Sequence, residues 1–249
     1  MKHLNLVLGC FFFIWGIVEM NNEEQELQVI TKVEKQKQGR HRYNIYLNEE
    51  YAFSVHEDIL IKHRLNKGES LYQQAIEAII VDEERNMAYV KALHMVGRRP
   101  HSLSEVKRKL KEKGFELPII DWVSDKLIEN KYVNDEEFAK MWTDNRVVTQ
   151  RKGRNLIRQE LQQKGIHQDV VKSTMESINP EDEYVGALKI ARTKWNQTSG
   201  KLMDRKRKTA AFLMRRGYTG AIVTKVLGLI SNETEEEELE LMDDGYEDN

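Results

Sequence analysis

Lysine and arginine side chains, gathered in three stretches, are the residues whose type and spacing most clearly indicate a chemical role. The stretches fall at residues 98–113, 146–158 and 201–216, and few acidic residues interrupt them. Such runs bind the phosphates of a nucleic acid, or an acidic protein surface, without reading base sequence. The residues that we expect to make these contacts are Arg98, Arg99, Lys107, Arg108, Lys111, Arg151, Lys152, Arg154, Arg158, Arg205, Lys206, Arg207, Lys208 and Arg215. The simpler interpretation, which is the better one for any single lysine, is that the charges only solvate outer helix faces.

Motifs for catalysis or metal binding are missing from the sequence, so we expect no catalytic residue, no cofactor and no metal ion. There is no HExxH motif, phosphate-cradling glycine loop, Cys/His cluster or carboxylate set with metal-ligand spacing. The single cysteine, Cys10, excludes a disulfide framework and a cysteine-based zinc site. His56 and His63 are interpreted as surface or helix-capping residues, and the acidic run 135–137 as a helix start. These features favour a binding protein over an enzyme.

The charge of the chain is unevenly distributed. The net charge is −2, from 39 Lys and Arg against 41 Asp and Glu. Ten acidic residues and no basic ones follow from Glu233 onward, which leaves 31 acids and a charge of about +8 in the rest of the chain. A basic body with an acidic tail is typical of a protein that meets a polyanion. The tail either competes for that basic surface or is a solvated, disordered extension.

The N-terminal segment 1–19 differs from everything that follows it. Residues 4–18 are nearly all apolar, but fifteen residues are fewer than the about 20 that a membrane-spanning helix needs. We interpret the segment as upstream sequence ahead of a true start at Met20, with a targeting segment as the alternative. Nothing downstream resembles a secreted or membrane protein, so we expect a cytoplasmic protein without membrane contact.

Residues 27–69 are predicted to form a small β-rich subdomain with a hairpin. Apolar and polar residues alternate over 43–47 and over 51–55, the period-two pattern of strands with one buried face. Residues 29–33 alternate in the same way and predict a third strand. A short helix is expected at 57–63.

Helix starts and stops are frequent from residue 70 onward. Ser70 with Gln73, Ser102 with Glu105, and Asn134 with Glu137 each have the spacing of a capping box. Gly114 and Gly165 follow basic, leucine-bearing turns, where helices end in a left-handed residue. Pro118 and Pro180 fall at first-turn positions, where a missing N–H costs little.

Internal self-similarity is the most informative feature of the sequence. A leucine, three further residues, a glycine and a large side chain recur at 110–115, 161–166 and 213–218, with the glycines 51 and 52 residues apart. Residues six, nine and thirteen positions after each glycine correspond as well, a spacing that places them on one helix face. They are Ile120, Val123 and Leu127; Val171, Thr174 and Ile178; and Val223, Val226 and Ile230.

The repeat predicts a mainly α fold of tandem three-helix repeats. Each unit has a basic amphipathic helix, a glycine stop and a second amphipathic helix. A preceding helix (87–96, 137–148 or 183–195) completes it. Since one module buries its apolar faces poorly alone, stacked copies are expected to form an elongated, curved array. The predicted divisions are repeat 1 at 70–136, repeat 2 at 137–182, repeat 3 at 183–231 and a disordered acidic tail at 232–249.

The sequence resembles the RecX family of regulatory proteins over about residues 29–231. The N-terminal β-rich extension is similar to the form found in Gram-positive members. The motifs that carry the resemblance are Ala88–Leu93, Arg98–Ser102, Glu105–Leu110, Lys113–Phe115 and Lys131–Ala139. The apolar N-terminus and the long acidic tail depart from the family pattern.

The resemblance implies a non-catalytic protein that binds the RecA filament on single- or double-stranded DNA. It would modulate, most often inhibit, ATP turnover, strand exchange and filament growth in recombination, DNA repair and the SOS response. A monomer is expected. The alternative is a stand-alone, sequence-independent DNA-binding protein, or one that reads the major groove with residues 216–227. Trp122, Trp142 and Trp195 are predicted to be core residues, with stacking on bases as their alternative role.

Overall fold

The structure, a computed structural model, describes residues 27–37, 39 and 41–243, with side chains as far as residue 236. The apolar segment 1–19 and Cys10 therefore lie outside the described residues. The chain divides between Val90 and Lys91 into two compact units, and this boundary falls within one long helix.

The first unit contains a four-stranded antiparallel sheet in the order β3-β2-β1-β4. Its elements are β1 Leu27–Lys35, β2 Arg42–Leu47, β3 Glu50–His56, α1 Glu57–Lys62, β4 Ser70–Tyr72 and the start of α2 Gln73–Val96. The predicted hairpin is β2–β3, in which Ile45 pairs with Phe53, and the predicted third strand is β1. Ile30, Ile45 and Val55 are fully buried beneath the sheet because the alternating pattern turns them to one face.

Ser70 does not cap a helix, so the capping box predicted with Gln73 is wrong. Ser70 begins β4 and pairs with Val29 of β1, and α2 starts only at Gln73. Helix α2 also begins earlier than the predicted 87–96 helix. Its first turns belong to the β-rich unit, since Ile76 and Ile79 lie in the same core as Ile30.

The second unit consists of three-helix repeats, as the sequence predicts. After α2, the helices are α3 Leu103–Glu112, α4 Leu117–Glu129, α5 Asp135–Asp144, α6 Arg154–Gln163, α7 Gln168–Glu176, α8 Pro180–Asn196, α9 Leu202–Arg215 and α10 Gly220–Asp243. A π-helical turn, Asn145–Thr149, continues α5. Repeat 1 ends with α3 and α4, repeat 2 comprises α5 to α7, and repeat 3 comprises α8 to α10.

The helix ends form where the sequence places them. Ser102 and Glu105 make a reciprocal capping box at α3, and Asn134 caps α5. Gly114 and Gly165 have φ of 88° and 72°, the left-handed conformation that glycine adopts without steric cost. Each helix stop can therefore be recognised from the local sequence.

The residues at the three repeated offsets after each glycine are all buried, and none is more than 8% exposed. The leucines before the glycines, Leu110, Leu161 and Leu213, are fully buried. The residues four positions before these leucines are also fully buried. They are Val106 in repeat 1, Ile157 in repeat 2 and Thr209 in repeat 3. The repeat in the sequence is thus a repeat of core positions.

The first part of the acidic tail belongs to helix α10. Helix α10 continues to Asp243. Its extension is held against α8, where the Trp195 Nε1–H donates to Thr234 Oγ1 at 3.1 Å and Arg192 pairs with Glu233 at 2.6 Å. Glutamate is also a good helix former. Residues 244–249 lie outside the described residues.

Candidate functional site

The first two repeats meet where the start of α3 contacts the end of α6. The Ser102 hydroxyl donates to the carbonyl oxygen of Lys164 at 2.7 Å, and Lys164 Nζ lies 2.5 Å from Glu105 Oε1. Arg99 approaches the same buried carboxylate at 3.5 Å. Burial acts to raise the pKa of Glu105, but the bonds from Lys164 and Arg99 outweigh it and lower the pKa to about 2. Arg99 of the first basic stretch and Lys164 thus stabilise the charge at a repeat junction.

A second buried carboxylate joins repeats 2 and 3. The Arg154 backbone N–H donates to Glu183 Oε1 at 2.9 Å, and the Arg154 guanidinium lies 2.7 Å from Glu183 Oε2. The Glu183 side chain is fully buried. Burial, and then the charge of Glu183, raise the pKa of the nearby Tyr218 hydroxyl. Arg154 is therefore required to neutralise a buried charge.

Glu160 organises the basic stretch of repeat 2. Its carboxylate accepts from Lys152 Nζ at 2.6 Å, Arg146 Nε at 2.7 Å and Trp142 Nε1 at 2.9 Å. Burial opposes ionisation, but these bonds lower the pKa of Glu160. The Arg146 guanidinium also lies 3.7 Å from the centre of the Trp142 ring, and it therefore covers one face of that ring.

The predicted binding residues therefore divide into two sets. Those with an internal partner (an ion pair or, for Arg205, the Trp195 ring) are Arg99, Lys107, Arg108, Lys152, Arg154, Arg205 and Arg207. Those without an ion pair to the described residues are Arg98, Lys111, Arg151, Arg158, Lys206, Lys208 and Arg215. Of the second set, Arg151 and Lys206 are half-buried and the other five are exposed.

In repeats 2 and 3, the exposed cations of this second set lie on the middle helix of the repeat, which is α6 in repeat 2 and α9 in repeat 3. Arg158 is exposed at the edge of a shallow groove of about 700 Å³ between α6 and α7, which Gln162 and Lys172 also line. Lys208 and Arg215 are seven residues apart on α9, and so share its exposed side. Thr209 and Leu213 are buried on a different side of this helix. These helices can therefore present positive charge to a polyanion.

Arg98, the exposed arginine of repeat 1 without an ion pair to the described residues, lies at a different place, beside the loop that precedes α3. Arg98 lines a shallow pocket of about 370 Å³ together with Lys131, Tyr132 and the buried Val133. His101 holds this loop, since its Nδ1 lies 2.8 Å from the carbonyl oxygen of Arg99. Burial, and then the neighbouring cations, lower the pKa of His101.

The aromatic and histidine predictions have mixed outcomes. Trp195 is a core residue, whereas Trp122 and Trp142 are half-buried. His56 caps α1 by accepting from the Asp58 N–H, as predicted, and His63 contacts Asp82 at 2.8 Å. Within residues 27–37, 39 and 41–243, no cluster of three potential metal ligands occurs.

Sequence reasoning missed the buried acids Glu105 and Glu183 and the half-buried Glu160, which decide which cations are available. One signal was present for Glu183. Glu183, Ala187, Ala191 and Trp195 follow one another at intervals of four residues, and all four are buried on one face of α8. A charge in line with a buried stripe predicts an internal ionic partner.

Four family models match the chain in the order of its elements. The Regulatory protein RecX N-terminal domain matches residues 28–72, and the first, second and third RecX three-helix domains match 88–127, 134–175 and 181–227. The Regulatory protein RecX of Bacillus cereus strain AH820 is 32% identical over 216 residues, which cover 85% of this chain and 80% of the relative. The chain belongs to the RecX family. A Bacillus anthracis RecX has the same identity and coverage.

Solved RecX structures share the fold described above. A crystal structure of regulatory protein RecX superposes with a TM-score of 0.67 at 29% identity, covering 80% of this chain and 98% of that one. The crystal structure of RecX from Lactobacillus salivarius has a TM-score of 0.56 at 20% identity, covering 59% of this chain and 96% of that one. The mainly α fold with tandem RecX three-helix repeats and an N-terminal β unit is thus confirmed. Among the described residues, no helix has the length and apolar character to cross a membrane.

Proposed function

We propose that this RecX-family protein binds the RecA–DNA filament in the cytoplasm and lowers its ATP hydrolysis, strand exchange and growth. The protein contributes no chemistry and needs no cofactor. Its effect comes from occupying the filament, where its cations contact DNA phosphates or acidic residues of RecA.

The observation that carries this proposal is the exposed, unpaired charge on α6 and α9. Arg158, Lys208 and Arg215 have no ion pair with the described residues that would have to break before they bind. Their positions on successive repeats suit a polyanion that extends past more than one module. The ion-paired Arg154 contributes by holding repeats 2 and 3 together, and Lys152 by its pair with Glu160 within repeat 2.

The same geometry gives little support to the alternative in which residues 216–227 read bases in the major groove of DNA. Residues 216–227 form a turn and the start of α10, and Lys225 is the single cation between residues 220 and 243. The Lys225 ammonium lies 4.3 Å from the Tyr184 ring, and Arg216 is a half-buried C-cap of α9. Recognition of bases usually needs several side chains on one such helix.

The test is a titration of the full chain into RecA filaments on single-stranded DNA, with ATP hydrolysis followed at several salt concentrations. We expect inhibition that weakens with salt. The double variant Arg158→Glu with Lys208→Glu should weaken inhibition at least about tenfold, because each reversal removes a phosphate or carboxylate contact. A matched control, Lys140→Glu with Lys189→Glu, changes the same charge at exposed sites on α5 and α8.

Two results would count against the proposal. Equal loss in the control pair would show that total charge, and not this surface, sets the effect. No effect on RecA, together with steep salt-dependent binding to DNA alone, would leave a stand-alone DNA-binding protein.

A further inference from the structure

The two junctions described above, between repeats 1 and 2 and between repeats 2 and 3, share one arrangement. In the first junction, the start of α3 covers the glycine turn at the end of α6. In the second junction, the start of α6 covers the glycine turn at the end of α9. Ser102, the N-cap of α3, donates to the carbonyl oxygen of Lys164, the C-cap of α6, at 2.7 Å. Gly153, the N-cap of α6, donates its N–H to the carbonyl oxygen of Arg216, the C-cap of α9, at 2.9 Å. The contact is a repeated docking mode.

Both covered turns are tightly packed. A Cβ added to Gly165 would lie 2.3 Å from Ser104 Oγ, and one added to Gly217 would lie 2.4 Å from Leu156 Cβ. The glycines are therefore needed for close approach as well as for their positive φ.

The equivalent surfaces at the two ends of the repeat series are not covered by any of the described residues. The glycine turn of repeat 1 contains Gly114, at which an added Cβ would meet no atom within 4 Å. Leu117, just beyond this turn, is 61% exposed. In repeat 3, α9 begins after its N-cap Lys201, and its second residue, Met203, is 74% exposed. One end thus has an open turn and the other an open helix start.

The charges at these open surfaces match those of a closed junction. In the first junction, Glu105 at the third position of α3 pairs with the C-cap Lys164. The third position of α9 is Asp204, and the C-cap of α3 is Lys113. Lys113 is exposed and has no ion pair to the described residues, and Asp204 has only a 3.4 Å contact with Arg207.

We propose that a second copy of this chain docks here, with its α9 start covering the Gly114 turn and its Asp204 pairing with Lys113. The contact is head-to-tail, so it does not close on itself and can extend to further copies in line. Because one helix end buries little area, it is weak between free chains and forms when copies are concentrated. A monomer in dilute solution, as the sequence predicts, is consistent with it.

Cross-linking between singly substituted full-length chains tests the contact without RecA or DNA. In a Cys10→Ser background, Lys113→Cys chains are mixed with Asp204→Cys chains and treated with a short bis-maleimide. We expect a heterodimer yield at least about fivefold above that of Asp204→Cys mixed with Asp125→Cys, an exposed site on α4. Equal yields in both mixtures, or no cross-link in either, would overturn the proposal.

Charge reversal gives an independent readout by sedimentation equilibrium at high protein concentration. Lys113→Asp or Asp204→Lys alone should weaken association about threefold, the size of an exposed ion pair, and the two together should restore it. Gly114→Asn keeps the left-handed turn but adds a side chain where the docked helix must approach, and should reduce association more than about tenfold. Failure of the double reversal to restore association, or unchanged association of Gly114→Asn, would exclude this docking mode.

Discussion

Glu105 and Lys164 lie 59 residues apart in the sequence, yet their charged groups meet at 2.5 Å across the junction of repeats 1 and 2. Glu105 is at the start of α3 and its side chain is only 6% exposed. Lys164 is at the end of α6 and also lies 4.7 Å from the centre of the Trp142 ring. The pair thus connects two repeats, at the point where each contributes a helix end.

Replacing Glu105 with glutamine should destabilise the protein by about 2 kcal/mol at pH 7, because Lys164 is left half-buried without its counter-charge. The pKa of Glu105 is lowered on folding from 4.5 to about 2. Its ionic stabilisation is therefore complete above pH 4.5 and is lost as the pH falls towards 2. Urea unfolding of both proteins between pH 2 and 7 should show the stability difference shrink over that range.

Glu116→Gln, at an exposed site, is the matched control for the acid experiment, since the Glu116 side chain makes no cap hydrogen bond and no ion pair with the described residues. Its stability difference from the wild type should be near zero and independent of pH. A pH-independent deficit for Glu105→Gln would contradict the ionic origin of the effect.

Gly153→Ala should destabilise the protein by about 3 kcal/mol, because the added Cβ would lie 2.3 Å from the Tyr218 backbone nitrogen. The backbone N–H groups of Gly153 and Tyr218 are both held by hydrogen bonds, so neither segment can move away easily. The matched control is Gly228→Ala within α10, where nothing lies within 4 Å. That change should stabilise by about 0.5–1 kcal/mol through helix propensity. Denaturant unfolding measures both, and a harmless Gly153→Ala would contradict the close approach.

Patterns confined to one helix or turn could be predicted from the sequence. The offsets after Gly114 and Gly165 identify core residues because burial of one helix face needs only local spacing. The caps at Ser102 and Asn134 are local in the same way. The order of the three-helix repeats follows from these elements.

Features that depend on distant partners could not be predicted in this way. Ser70 has the local signature of a helix cap, but pairing with β1 more than forty residues earlier makes it a strand. Lys152 and Arg154 belong to a basic run in the sequence. Their partners, Glu160 and Glu183, are 8 and 29 residues away and become neighbours only in the folded repeats.

Removing residues 237–249 should strengthen binding to DNA if the acidic tail competes for the basic surface. The deletion removes seven acidic residues but keeps Glu233 and Thr234, which hold α10 against α8. We expect at least about threefold tighter binding at low salt, with the gain disappearing as salt screens the charges. Fluorescence anisotropy with labelled single-stranded DNA measures this, and unchanged affinity would reject the competition.

A longer deletion from residue 233 separates this effect from folding. It also removes the Arg192–Glu233 pair and the Trp195–Thr234 hydrogen bond, and should lower stability by about 1 kcal/mol. The shorter deletion should leave the thermal midpoint unchanged.

Thr209→Val should stabilise the protein, because Thr209 occupies a core position that Val106 and Ile157 fill in the other repeats. The side chain is fully buried, and its Oγ1 has no hydrogen-bond partner among the described residues. Valine has nearly the same shape and removes the cost of desolvating that hydroxyl, a gain of about 1 kcal/mol, or a rise in Tm of about 2–4 °C. Thr198→Val is the matched control, since the Thr198 hydroxyl donates to the Lys194 carbonyl at 2.7 Å and its loss should destabilise. Thermal unfolding of the two variants should therefore shift in opposite directions, and a loss of stability in Thr209→Val would contradict the assignment of an unsatisfied hydroxyl in repeat 3.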